Sequence, residues 1–192
     1  MRVGLFFGSF NPVHTGHLII ANHVLTHCDL DQIWFVVSPQ NPFKERLTLL
    51  NEYDRLHLVN LAIEGDDRLR ASNIEFSLPK PSYTIDTLAY LTEKHPDYQF
   101  ALLMGSDNLN SLQKWKNYEA ILNHYSIYIY TRPGYKKGEL HDHKRVIILD
   151  DVPLMHISST FIREQIKDGY SVRYLLPDAV RKYIDEMSYY RD

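Results

Sequence analysis

Two imidazoles set three residues apart, His14 and His17, stand where an apolar, strand-like run gives way to a helical one. The turn between the two reads Gly8-Ser9-Phe10-Asn11-Pro12-Val13-His14-Thr15-Gly16-His17. Gly8 permits close backbone approach or an unusual φ, and Asn11-Pro12 sets a turn before the helix. Free N–H groups and the positive dipole end attract an anion at such a helix start, and side chains three apart on a helix share a face. Imidazoles facing that anion would donate hydrogen bonds to oxygens that gain charge in phosphoryl chemistry, where one well-placed donor is worth roughly 3–4 kcal/mol. Either histidine alone reads as capping or packing. With Gly8, Pro12 and Gly16 around them, the pair reads as a phosphate cradle. A zinc reading that adds His23 or His27 lacks an evident third ligand and the spacing of zinc sites.

A second run of this kind is Ile157-Ser158-Ser159-Thr160-Phe161-Ile162-Arg163. Ser158 or Ser159 can cap a helix, the hydroxyls and exposed N–H groups can bind phosphate, and Arg163 lies about one turn further on to add charge. Taken alone this is an ordinary capped helix with a solvated arginine; paired with the first turn it is a second cradle for the same phosphate chain.

Both turns need a frame that brings them together. Apolar, β-branched or aromatic runs at Arg2–Phe7, Gln32–Ser38, Leu69–Ile74, Gln99–Met104, Ser126–Thr131 and Arg145–Leu149 read as strands. Stretches of helical period fill the gaps at His17–Cys28, Glu52–Ile63, Ile85–Lys94, Asn108–Leu122, Thr160–Lys167 and Pro177–Met187. Gln40–Arg46 and Arg132–Lys144 read as loops. The alternation implies an α/β fold, a doubly wound, mainly parallel sheet flanked by helices, in one domain spanning residues 1–192. In such sheets ligands bind beyond the carboxyl ends of the strands, where strand order reverses. Both cradles follow strands.

The composition narrows the field further. With 44% hydrophobic and 23% charged residues the chain matches an ordinary globular protein, and no segment is long enough to span a bilayer. The apolar start breaks at Gly8, which argues against a secretory signal, and the single Cys28 excludes an internal disulfide; the expected setting is the cytoplasm. A net charge of −3 lacks the basic excess of a nucleic-acid-binding protein, so an anionic ligand must be held locally. Neither a GxGxxG fingerprint nor a Walker A lysine is present at the first turn.

The first turn resembles the T/HxGH motif of the nucleotidylyltransferase superfamily, and the second resembles its ISSTxIR signature. Pro81-Ser82-Tyr83-Thr84-Ile85-Asp86-Thr87-Leu88 and Leu103-Met104-Gly105-Ser106-Asp107-Asn108, followed by Trp115-Lys116, extend the resemblance to the bacterial nicotinate-nucleotide adenylyltransferases over nearly the whole chain. The resemblance implies a Rossmann-like fold and adenylyl transfer from ATP to nicotinate mononucleotide, giving nicotinate adenine dinucleotide and pyrophosphate in NAD biosynthesis. It implies catalytic roles for His14, His17 and Arg163. Gly8, Ser9, Phe10, Lys44, Gly105, Asp107, Arg132, Ser158, Ser159 and Thr160 would serve ATP and its phosphates, and Tyr83, Thr84 and Trp115 the nicotinate. Mg²⁺ is expected on the ATP phosphates with no protein ligand named. The face of Trp115 would attract the cationic pyridine ring by roughly 1–2 kcal/mol, and Thr84 with nearby N–H groups would favour its carboxylate.

Three departures stand out: Phe7 where a second glycine is common, Asn11 where aspartate is common, and Phe43 where histidine is frequent. Three other functions stay open at this point: a relative that uses phosphopantetheine or nicotinamide mononucleotide, a nucleotide-binding regulator without turnover, and an RNA-binding relative. The sequence leaves a homo-oligomer open.

Overall fold

The structure, a computed structural model, describes residues 1–39, 49–132, 134, 137–153 and 155–191. Among these residues six strands form one sheet: β1 (Arg2–Gly8), β2 (Gln32–Val37), β3 (Leu69–Ser72), β4 (Gln99–Gly105), β5 (Ser126–Tyr130) and β6 (Val146–Leu149). Every pairing is parallel and the order is β3-β2-β1-β4-β5-β6. The chain therefore winds outward from β1 in one direction and from β4 in the other. The reversal lies between these two central strands, in register from Arg2 opposite Gln99 to Phe6 opposite Leu103. Their carboxyl ends are Gly8 and Gly105.

Alternation along the strands feeds two cores. Phe6, Phe35, Ala101 and Leu103 face one side, where α1 (Thr15–His27), α2 (Glu52–Ile63), α6 (Ser159–Lys167) and α7 (Asp178–Glu186) bury Val24, Leu58, Ile162 and Ile184. Val3, Leu5, Trp34 and Leu102 face the other, against α3 (Thr84–Lys94), α4 (Ser106–Ser111) and α5 (Tyr118–His124), which supply Leu88, Leu91, Leu109 and Ile121. With helices on both faces, the sheet is doubly wound and Rossmann-like.

All six expected strands are present. β1 and β4 run one residue further than expected, so that the glycines close the strands. β3 stops at Ser72, because a 3-10 turn at Ile74–Phe76 turns Glu75 into the interior. The single helix expected over 108–122 is two: α4 gives way to a 3-10 turn at Leu112–Lys114, Trp115 is extended, and Asn117 is left-handed at φ 50° before α5 begins. Leu109, Leu112, Ile121 and Leu122 keep an apolar side across the break, which is why the period reads as continuous. α1 begins earlier than expected, making His14 its N-cap and His17 its third residue.

Candidate active site

At the end of β1, a Cβ on Gly8 would lie 2.8–3.1 Å from the Phe10 ring. Phe10 adopts a left-handed φ of 45°, and its ring is buried in T-shaped or tilted contact with Phe6, Phe35 and His17. The residue anchors the turn to the core, so any contact it makes with nucleotide runs through its backbone.

The imidazoles of His14 and His17 stack, with centroids 3.7 Å apart and planes 24° apart. The His14 backbone N–H donates to His17 Nδ1 at 3.2 Å, which fixes that nitrogen as an acceptor and places the ring proton on Nε2. His14 is 6% exposed, and burial, aided by the charge of Arg132, lowers its pKa to about 4. It is therefore neutral at pH 7 and carries one N–H. Its Nδ1 is buried without a hydrogen-bond partner among the described residues, and a Cβ on Gly16 would press on that same edge of the ring at 3.1 Å. The helix-start N–H groups offer less to an anion than the sequence suggests. Thr15 N–H donates to the Leu175 carbonyl and His17 N–H to that of His14.

The second cradle is stitched to the first. Ser158 caps α6, its hydroxyl accepting from Phe161 N–H at 3.1 Å. The Ser159 hydroxyl donates to the Pro12 carbonyl at 2.9 Å across 147 residues of sequence. Arg163 donates through Nη1 to the Asn11 carbonyl at 2.9 Å and through Nη2 to the Thr160 hydroxyl at 3.4 Å. From the other side come the ends of β4 and β5. The Arg132 backbone N–H donates to the Ser106 hydroxyl, and its guanidinium pairs with Asp107 at 3.3 Å. A Cβ on Gly105 would collide with Asp107 and lie 3.2 Å from Arg132 Nε, so the bare glycine makes room for this pair. Asp107 Oδ1 is buried without a hydrogen-bond partner among the described residues. His14, His17, Gly105, Asp107, Arg132, Ser159 and Arg163 thus gather at the switch point of the sheet, whereas Lys44 lies outside the described residues.

The other candidate residues sit on the opposite face of the sheet. Tyr83 is the N-cap of α3 and is 40% exposed; Thr84 opens the helix. Lys116 reaches this helix start, with Nζ 2.8 and 3.0 Å from the Asp86 carboxylate and 4.9 Å from the Tyr83 ring centroid. The segment carrying Trp115 is thereby drawn to Tyr83 and Thr84, while the indole packs half-buried against the core on that face.

Known proteins resemble this chain in sequence and fold. The cytidylyltransferase-like family model matches residues 5–165. A probable nicotinate-nucleotide adenylyltransferase of Flavobacterium psychrophilum is 53% identical over the full length of both chains. One from Cytophaga hutchinsonii is 51% identical, covering 99% of this chain and 98% of its own. The chain belongs to the nicotinate-nucleotide adenylyltransferase family. The nicotinic acid mononucleotide adenylyltransferase of Plasmodium falciparum complexed with NaAD shares the fold with a TM-score of 0.84 at 20% identity, over 98% and 97% of the two chains.

Within this adenylyltransferase scaffold, two side chains take positions that motif reading passed over, and a third, named beside Trp115, is given no role there. Arg55 on α2 is fully buried and donates to four carbonyls: Ser9 at 2.6 Å, Ser38 at 2.8 Å, Leu50 at 2.9 Å and Pro39 at 3.0 Å. It ties the first cradle to the end of β2 and to the approach to α2. Burial draws its pKa below the usual arginine range. Glu75, 3% exposed, accepts from the Thr87 hydroxyl at 3.0 Å; burial pushes its carboxyl up, against hydrogen bonds from Ser38, Thr87 and Ser82. Because Ser38 N–H donates to the Gly8 carbonyl, Glu75 links the start of α3 to the cradle. The third is Lys116. In sequence Arg55 sits beside Asp54 near Glu52 and looks like one more surface charge on a polar helix, so nothing local marks it.

Proposed function

We propose that the chain transfers the adenylyl group of ATP to nicotinate mononucleotide, releasing pyrophosphate and forming nicotinate adenine dinucleotide for NAD biosynthesis. The observation that carries this is the stacked His14–His17 pair, which follows a turn that Ser159 and Arg163 of the capped α6 start fasten at the Pro12 and Asn11 carbonyls. A phosphate oxygen of the mononucleotide attacks the α-phosphorus of ATP; the new P–O bond forms as the bond to the β-phosphate oxygen breaks, and pyrophosphate leaves with that oxygen. The attacking phosphate is already anionic near neutral pH, so catalysis rests on alignment and charge stabilisation without a strong base.

In this reading His17 Nε2–H and the neutral His14 donate to α-phosphate oxygens as charge builds there, and Arg163, Ser158, Ser159 and Thr160 hold the β- and γ-phosphates. Gly8, Ser9 and Phe10 line the nucleotide through their backbone, Arg132 and Asp107 border it, and a role in meeting the phosphates is proposed for Lys44, which lies outside the described residues. Tyr83, Thr84 and Trp115 receive the pyridine ring. Among the described residues no three carboxylate, imidazole or thiol groups converge as a metal cage. Mg²⁺ carried on the triphosphate would neutralise phosphate charge there. Among the described residues no helix is long and apolar enough to cross a membrane; the proposed setting is the cytoplasm.

The test is pyrophosphate release from ATP and Mg²⁺ with nicotinate mononucleotide, nicotinamide mononucleotide or phosphopantetheine, each supplied separately. Preference for the nicotinate form is the expected result. Release with phosphopantetheine alone would keep the chemistry and remove the acceptor assignment; ATP binding without release would point to a regulator.

A further inference from the structure

We propose that Tyr190, in the segment that follows α7, is a positioning residue for the first phosphate cradle, so that adenylyl transfer depends on its hydroxyl. The proposal rests on the reading of His14 and His17 as the groups that meet the α-phosphate. After α7 the chain reverses through Ser188 at φ 55° and Tyr190 at φ 64°, left-handed conformations that side chains with a Cβ rarely adopt. The reversal is held by Ser188 N–H on the Asp185 carbonyl and Tyr189 N–H on that of Ile184. It packs Tyr189 and Tyr190 against the core and delivers the Tyr190 hydroxyl to Asn11 Oδ1, to which it donates at 2.8 Å.

Asn11 is 4% exposed and lies in the turn between Phe10 and His14. Three distant segments converge on it. The amide oxygen that accepts from Tyr190 also accepts from Leu50 N–H at 3.2 Å, and the Asn11 carbonyl accepts from Arg163 at 2.9 Å. The residue therefore joins the approach to α2, the second cradle and the segment after α7 at one point of the catalytic turn. Burial pushes the Tyr190 hydroxyl far above the usual phenol range, although Arg163 and Arg55 pull in the opposite sense, so it remains a donor at any working pH. Tyr190 fixes the side chain of residue 11 from behind, and Asn11 in turn fixes the carbonyl that receives Arg163. The tyrosine touches no reacting atom itself.

The Tyr190→Phe variant keeps the ring and its packing and removes one hydroxyl. In the full chain, steady-state pyrophosphate release with ATP and nicotinate mononucleotide should show kcat lowered about tenfold with both KM values within about twofold, the pattern of a misplaced catalytic group. The unfolding temperature of the same sample should stay within about 2 °C of wild type. Imidazole ¹⁵N–¹H resonances of His14 and His17 should move in Tyr190→Phe and stay in place in Tyr174→Phe, a change at a tyrosine 84% exposed. A Tyr190→Phe enzyme whose kcat stays within twofold of wild type overturns the proposal, as does a loss of activity that only tracks loss of folded protein. If the wild type fails to use nicotinate mononucleotide, the function reading falls, and the imidazole resonances decide the role of Tyr190 without turnover.

Discussion

The two ends of the site are built differently. At the proposed phosphate end His14 is 6% exposed, its supporting Arg55 is fully buried, and the half-buried Ser159 and Arg163 are held by long-range hydrogen bonds to the Pro12 and Asn11 carbonyls, while Ser158 and Thr160 are exposed. At the acceptor end Tyr83 is 40% exposed and Lys116 and Asp86 are roughly half exposed, meeting in a solvent-facing ion pair. The contrast fits a division of labour. Stabilising charge in a transition state requires preorganised donors in a dry setting, where reorganisation during the reaction is small. Choosing between two pyridine nucleotides that differ by one charge requires only a local difference in electrostatics, which an exposed cation can supply and a small change in sequence can retune.

If that contrast is right, changes at the phosphate end should be severe and changes at the acceptor end selective. The largest effect is expected for His17→Ala, which removes the donor whose proton the His14 N–H contact places on Nε2. Turnover should fall by about 10²–10³ with circular dichroism unchanged, the loss typical of one oxyanion donor; unchanged turnover would take His17 out of the mechanism. Next is Arg55→Met, which leaves four carbonyls without their donor. Unsatisfied buried groups cost about 1–3 kcal/mol each before relaxation, and water entry recovers part of this, so a net loss of about 3 kcal/mol is expected. That corresponds to a fall of about 6–12 °C in unfolding temperature for a chain of this size. A variant as stable as wild type would show that the cradle does not need its support.

How much of this was legible in the sequence follows the same divide. Strands, helices and the first cradle could be read because their signals are local: apolar runs of period two, a glycine at a strand end, two histidines three apart. The second cradle could be read because Ser158 caps a helix in the ordinary way. The break between α4 and α5 could not, since its apolar spacing runs through Trp115 and Asn117 unbroken. Nor could the service of Arg55, whose carbonyl partners come from Ser9, Ser38, Pro39 and Leu50 and exist only once the ends of β1 and β2 lie side by side. Asn11 shows the same limit. The sequence marks it only as a departure from the common aspartate, and the structure shows an amide oxygen that accepts from Leu50 and Tyr190.

A pH experiment sharpens the comparison at intermediate size. The folded pKa of His14, about 4, lies below the ordinary imidazole value of 6.5. Between these values the unfolded chain binds the proton and the folded chain does not, so this residue's contribution to stability rises with pH and is lost as pH falls from about 6.5 towards 4. By pH 5 the loss relative to pH 7 should reach about 2 kcal/mol. Urea unfolding of wild type and His14→Gln at pH 5 and pH 7 isolates the effect: the wild type should lose more stability than the variant by about that amount. Equal slopes would mean that the imidazole is less shielded than its burial indicates.

The smallest and most selective effect belongs to the acceptor end. Lys116 is held over Tyr83 by Asp86, within reach of the helix start where Thr84 lies. An exposed ion pair contributes about 1 kcal/mol or less to stability, so Lys116→Gln should leave the unfolding temperature nearly unchanged. A cation beside a pyridine carboxylate interacts with the acid and scarcely with the neutral amide, so kcat/KM for nicotinate mononucleotide should fall about fivefold while that for nicotinamide mononucleotide stays within about twofold. Asp86→Asn releases the ammonium from its partner and should move the same ratio the other way. Equal losses on both substrates would assign Lys116 to folding of the helix start; no change on either would place the pyridine carboxylate away from α3 and leave the backbone to choose the acid.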